Sequence, residues 1–154
     1  MNPKPLFVFP FKDNDYRVID GDSVDVIFDR GWKATKGTNQ RLLGLNAPEV
    51  RTRRSLEKQA GLWVKDLVIK WFADRKETKW FYATSEERPK FFGRTVGRIW
   101  AEDPSDCLND YLLGLGVVKP YEGGKREAFT DEELTHIIEI ADREINGNAE
   151  RRSG

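Results

Sequence analysis

The chain has 154 residues, enough for one domain around one hydrophobic core. It carries 26 basic and 26 acidic residues, so its net charge excludes a uniformly basic binder, and any polyanion must be held by a local basic patch. Its single cysteine, Cys107, excludes an intrachain disulfide.

At the N-terminus, Leu6, Phe7, Val8 and Phe9 form an apolar run bracketed by Pro5 and Pro10. The run is too short for a signal-peptide core or a membrane span. The expectation is a cytoplasmic protein without membrane contact, although a secreted form already freed of its signal would look the same. Tyr16 and Val18, then Val24, Val26 and Phe28, recur with period two, which predicts half-buried strands. Asp20, Gly21 and Asp22 between them predict a tight turn. Asp29-Arg30-Gly31 predicts a second turn. Lys36-Gly37-Thr38-Asn39 predicts a third, feeding a strand over 40–45.

Leu56, Ala60, Trp63, Val64, Leu67 and Trp71 fall at spacings of three and four, predicting a helix over 55–73 with Ser55 as its N-cap. Two strands are predicted over 79–84 and 94–100. Leu108, Tyr111, Leu112 and Leu115 predict a shorter helix, ended by Gly114 and Gly116. Thr130 with Glu133 has the pattern of a capping box. Leu134, Ile137, Ile138, Ala141 and Ile145 form the apolar stripe of a last helix, with Gly147 as its stop and 148–154 as a frayed polar tail. The order is three strands, a helix, two strands and two helices. It predicts an α+β, mainly β protein: one domain over 1–154, its core about 12–147, built as an OB-fold five-stranded barrel with three helices. A monomer is the default.

Three segments far apart in sequence carry the chemistry: Val18-Ile19-Asp20-Gly21-Asp22-Ser23-Val24, Arg41-Leu42-Leu43-Gly44-Leu45-Asn46-Ala47-Pro48-Glu49, and Phe92-Gly93-Arg94. Each alone has a plain structural use, as a turn or as charge on a strand edge. Together, in this order and on this plan, they resemble the staphylococcal nuclease-like (thermonuclease) family from about Tyr16 to Tyr121. The resemblance implies a calcium-dependent endonuclease that hydrolyses DNA, and often RNA, leaving 3′-phosphate ends. The chemistry of the residues agrees. A phosphodiester anion repels hydroxide, and a hard cation with oxygen ligands offsets that charge. Asp22 is the first ligand candidate, followed by Asn46 and the carbonyl of Ala47, which Pro48 holds in an extended conformation. Glu49 is placed to act as general base, and Arg41 and Arg94 to fork onto phosphate oxygens.

The sequence departs from the family at two places. Asn46 stands where an Asp is common, which removes a ligand charge and opens the choice between Ca²⁺ and Mg²⁺. Phe91 and Phe92 stand where the best-known member carries a Lys-Tyr pair on the terminal phosphate, so Lys90 or Arg88 is left to compensate. Tyr121, Lys125 and Arg126, around Gly123-Gly124, are candidates to stack on a base and touch phosphate. Arg51, Arg53, Arg54 and Lys58, facing Arg88, Lys90, Arg94 and Arg98, would make a local phosphate-attracting groove. Two other functions compete: a non-catalytic OB-fold nucleic-acid-binding module, and a protein-interaction domain using Trp32, Trp80 and Trp100.

Overall fold

A computed structural model describes residues 7–153 apart from 33, 76 and 87–93, with the backbone alone for residue 7 and for 148–153. It is a mixed α+β architecture of nine strands and three helices among the described residues. The four-stranded sheet runs β2-β3-β4-β7, from Tyr16–Asp20, Ser23–Asp29, Thr35–Leu42 and Arg94–Gly97. Its ladders are antiparallel except β4 with β7, which is parallel. A second sheet, β1-β6-β8, joins Phe7–Lys12, Trp80–Ser85 and Ile99–Trp100, and a short pair joins β5 (Leu45–Asn46) to β9 (Lys119–Pro120). These ladders do not close into a barrel among the described residues, so the structure bears out the α+β class without the predicted five-stranded closure.

Alternation explains the sheet faces. Val24, Val26 and Phe28 of β3 point into the core, while Asp25 and Ile27 point outward. Strand β1 is absent from the sequence prediction, which weighs the apolar run before Pro10 only as a signal or membrane segment. The structure tolerates Pro10 because β1 is an edge strand, pairing with β6 alone among the described residues. Strand β4 begins at Thr35, so Lys36 to Asn39 is strand and not the predicted turn. The chain reverses ahead of it, at the predicted Asp29-Arg30-Gly31 turn, where Gly31 takes φ +80° and Arg30 N–H donates to the Ala34 carbonyl at 2.9 Å; Gly44, with φ +85°, follows the strand. Strands β7 and β8 replace the single strand predicted over 94–100. They separate at Arg98, where the chain leaves β4 and joins β6.

Helix α1 spans Ser55–Ala73 as predicted, but Arg54 occupies the cap position and makes no side-chain cap bond. Ala60, Val64, Leu67, Val68, Trp71 and Phe72 bury one face of it. An aromatic cluster forms where this face meets the sheets: Tyr16 stacks on Phe72 with centroids 4.0 Å apart, and Phe81 meets Phe72 at 4.9 Å and Phe11 at 5.6 Å. Such pairs add about 0.5–1.5 kcal/mol each beyond area burial. Helix α2 spans Leu108–Leu115 and ends at left-handed Gly116, whereas Gly114 lies inside it. Its buried Asn109 donates to the carbonyls of Leu43 (2.9 Å) and Gly97 (3.3 Å), satisfying backbone at the β7–β8 break. Helix α3 spans Asp131–Ser153, past Gly147, where the sequence predicted its end. Its capping box is reciprocal: Thr130 N–H donates to Glu133 Oε1 at 2.9 Å, and Glu133 N–H to Thr130 Oγ1 at 3.1 Å. No described helix is long and apolar enough to cross a membrane.

Buried Gln40 joins the two larger sheets. Its Nε2 donates to the Thr84 carbonyl at 2.8 Å, and its Oε1 accepts from the Thr95 hydroxyl. This fixes the end of β4, and with it Arg41, relative to β6 and β7.

Candidate active site

The turn between β2 and β3 is built by its own acids: Asp22 N–H donates to Asp20 Oδ1 at 3.2 Å. Gly21 allows its tip to press inward, since a Cβ there would lie 2.6 Å from Val64 Cγ1 and 3.0 Å from Ala47 Cβ. Helix α1 holds the second segment in the same way. A Cβ on Gly61 would lie 2.8 Å from the Glu49 carbonyl and 2.9 Å from the Pro48 oxygen. Two glycine contacts with one helix therefore bring the Asp20–Asp22 turn and the 46–49 segment side by side.

Arg41 closes the arrangement. It is 7% exposed, with Nη1 2.7 Å from Asp22 Oδ2 and Nη2 donating to the Leu45 carbonyl at 3.3 Å. Asp22 Oδ2 also accepts from Ala47 N–H at 3.3 Å, which sets the Asn46–Ala47 peptide against the carboxylate. Burial pushes the Arg41 pKa down, the Asp22 charge opposes this, and the charges of Arg126 and Arg94 push it down further. Three guanidinium groups thus act on one small region, which favours an anion there.

The acids make the opposite provision. Burial raises the Asp20 pKa to about 7, reinforced by the hydrogen bond and charge of Asp22. The unfolded chain releases this proton near pH 4. The native state therefore binds more protons between about pH 4 and 7, and the contribution of Asp20 to stability falls as pH rises through that window. In chelator, Asp20→Asn is expected to flatten the fall of Tm across these pH values; an unchanged Tm profile would remove Asp20 from this account.

These acids and the nearby amide suit a hard cation. Asp20 and Asp22 supply paired carboxylates, and Asn46 is buried with no side-chain hydrogen bond among the described residues. No group of three or more His, Cys, Asp or Glu forms a metal site among the described residues, so further ligands would be amide and carbonyl oxygens.

Arg94 comes from β7. Its Nε donates to Asn39 Oδ1 at 3.0 Å, and its terminal nitrogens make no hydrogen bond among the described residues. Asn39 is fixed in turn, donating to Ser23 Oγ (2.7 Å) and Asp25 Oδ1 (2.9 Å). Glu49 is exposed, and its carboxylate has no ion-pair partner among the described residues. Its backbone N–H donates to Glu57 Oε2 at 3.0 Å. Tyr121 is tied down through N–H to Gly44 O (2.8 Å) and its hydroxyl to Gly124 O (2.5 Å), with Arg126 5.7 Å over its ring. Lys125 is exposed without a partner among the described residues. Lys90, with Arg88, Phe91, Phe92 and Gly93, lies outside the described residues.

The predicted basic groove is smaller than its sequence. Arg54 is committed to Glu57, Asp131 and the Phe129 carbonyl, and Arg98 to Glu86 at 2.5 Å. Of the three tryptophans, Trp32 is fully exposed, while Trp80 and Trp100 are half-buried. The sequence prediction missed Asn39, placed in a turn, and treated Asp20 as a turn former alone. No protein-family model matches the chain, and no curated protein matches it either.

Proposed function

We propose that this chain is a metal-dependent endonuclease of the staphylococcal nuclease-like kind, on an OB-type barrel, hydrolysing DNA and RNA phosphodiesters to 3′-phosphate ends. The observation that carries the proposal is the convergence at Arg41: Asp22 and Leu45 hold it, and the charges of Arg94 and Arg126 bear on it. The order of β2, β3 and β4, then the two-residue β5, α1 and β6, supports the barrel assignment.

Asp22, Asn46 and the Ala47 carbonyl, with Asp20 behind them, would hold the cation, Ca²⁺ first and Mg²⁺ second. When bound, the cation supplies positive charge to the phosphate. Arg94 presents its terminal nitrogens, without a hydrogen bond among the described residues, to the phosphate oxygens, pre-aimed by Asn39. Arg41 adds fixed charge where negative charge builds in the transition state. Glu49, exposed at the mouth, takes the proton of the attacking water. Tyr121 and Arg126 line the exit toward the base.

The test is incubation with single- and double-stranded DNA and RNA in Ca²⁺, Mg²⁺ or chelator. Cation-dependent degradation is expected, lowered on the order of 10²-fold or more by Glu49→Gln and by Arg94→Ala. The uncharged Asn46 and the Glu49 carboxylate, without an ion-pair partner among the described residues, favour a second reading, a non-catalytic nucleic-acid-binding module. Tight binding without cleavage under any cation would establish that reading instead.

A further inference from the structure

We propose that the outer face of the four-stranded sheet carries a nucleobase subsite selective for guanine, beside Arg94. Four side chains stand directly opposite one another across all four strands: Arg17 on β2, Asp25 on β3, Asn39 on β4 and Arg94 on β7. Each is hydrogen-bonded to the next, at 3.4, 2.9 and 3.0 Å. The row ends at the guanidinium assigned to phosphate. Beside the other three members of the row lies an open cavity of about 480 Å³, lined by Asp15, Arg17, Asp25, Ile27, Gly37 and Asn39, among others.

The cavity has an apolar floor, with Asp25 on one wall and Asp15 also in its lining. Ile27 and Gly37 face each other across β3 and β4. Ile27 is 45% exposed, and a Cβ on Gly37 would meet only the Val26 carbonyl oxygen at 4.0 Å, so the depression exists because this residue has no side chain. A planar base can lie on that floor with its edge toward Asp25. The Asp25 carboxylate is acceptor-only: Oδ1 takes the Asn39 amide, and Oδ2 takes a long bond from an Arg17 side chain that is 79% exposed. The lone pairs left unused among the described residues call for two adjacent donors. Guanine presents them as N1–H and N2–H. Adenine and cytosine set a ring acceptor beside the amino group, and uracil flanks its N–H with carbonyls; each would oppose a carboxylate. Asp25 lies two strand spacings from Arg94, roughly 10 Å, which suits a base close along the strand from the phosphate that Arg94 holds. That placement beside a phosphate rests on the function proposed above; the base selectivity rests on the cavity.

The experiment titrates 5′-GMP, 5′-AMP, 5′-CMP and 5′-UMP into the full chain in chelator, followed by amide NMR shifts. GMP is expected to bind about tenfold tighter than the others, the discrimination of one bidentate base contact. Asp25→Asn replaces an acceptor by a donor and is expected to bring GMP to within about twofold of AMP. Gly37→Val fills the cavity and is expected to abolish GMP binding without lowering Tm. Equal affinity for all four nucleotides, or GMP binding untouched by Gly37→Val, overturns the proposal. Cation-dependent cleavage without base selection removes the subsite and leaves the nuclease. GMP selection without cleavage under any cation keeps the subsite and removes the nuclease.

Discussion

Arg41→Ala is expected to eliminate measurable cleavage and to destabilise the fold by about 3–5 kcal/mol, the usual cost of leaving one member of a buried ion pair without its partner. The reason lies in what remains. Asp22 keeps only the Ala47 N–H and its own turn, beside an Asp20 carboxyl whose proton affinity its charge already raises. The 2.7 Å contact with Nη1 is lost, and so is the donor that joins the end of β4 to the Leu45 carbonyl. Arg41→Lys restores charge but not a fork reaching two acceptors, so it should recover part of the stability and little of the activity. A divalent cation gives a further arm. It neutralises the same carboxylates, so saturating Ca²⁺ should raise the urea midpoint of Arg41→Ala more than that of the wild type. A variant that unfolds at the wild-type midpoint and still cuts DNA would show that Arg41 has neither role.

What the sequence reveals of the fold depends on how local each signal is. Helix α1 is legible from the stripe of Ala60, Val64, Leu67 and Trp71, and the start of α3 from Thr130 and Glu133, because both patterns act within a few residues. Strand β1 and the first half of β4 are hidden. Pro10 and the Lys36-Gly37-Thr38-Asn39 stretch have the composition of non-strand structure, and only an edge position and a partner strand reverse it. Gly147 costs helix stability but does not end α3, since propensity yields to the surrounding helix. The site divides in the same way. Asp22, Arg41 and the 46–49 segment are legible as motifs. The grip of Asn39 on Arg94 is not, because it follows from a parallel register between strands more than fifty residues apart in sequence. Charge counts mislead for a related reason: Arg54 and Arg98 look available as residues but are consumed by Asp131 and Glu86.

Gly61→Ala is expected to impair catalysis more than stability. In a helix interior alanine is favoured over glycine by about 1 kcal/mol, so on propensity alone the change should stabilise α1. The contact decides otherwise. The new methyl would meet the backbone of Pro48 and Glu49 at 2.8 to 2.9 Å, and a peptide cannot swing aside as a side-chain end can. Helix α1 cannot retreat freely either, because Ala60 and Val64 beside this glycine are fully buried in the core. The 47–50 segment has to give, at about 1–3 kcal/mol as for other overpacked sites, which outweighs the propensity gain. The residue displaced is the proposed base. A shift of about 1 Å at a reacting group costs on the order of 10²-fold in rate, so kcat should fall by about that factor while KM for DNA changes little. Gly114→Ala is the matched control: it also lies in a helix, a Cβ there meets nothing within 4 Å, and it should be neutral or stabilising with full activity. Equal kcat values for the two variants would place Glu49 outside the chemistry.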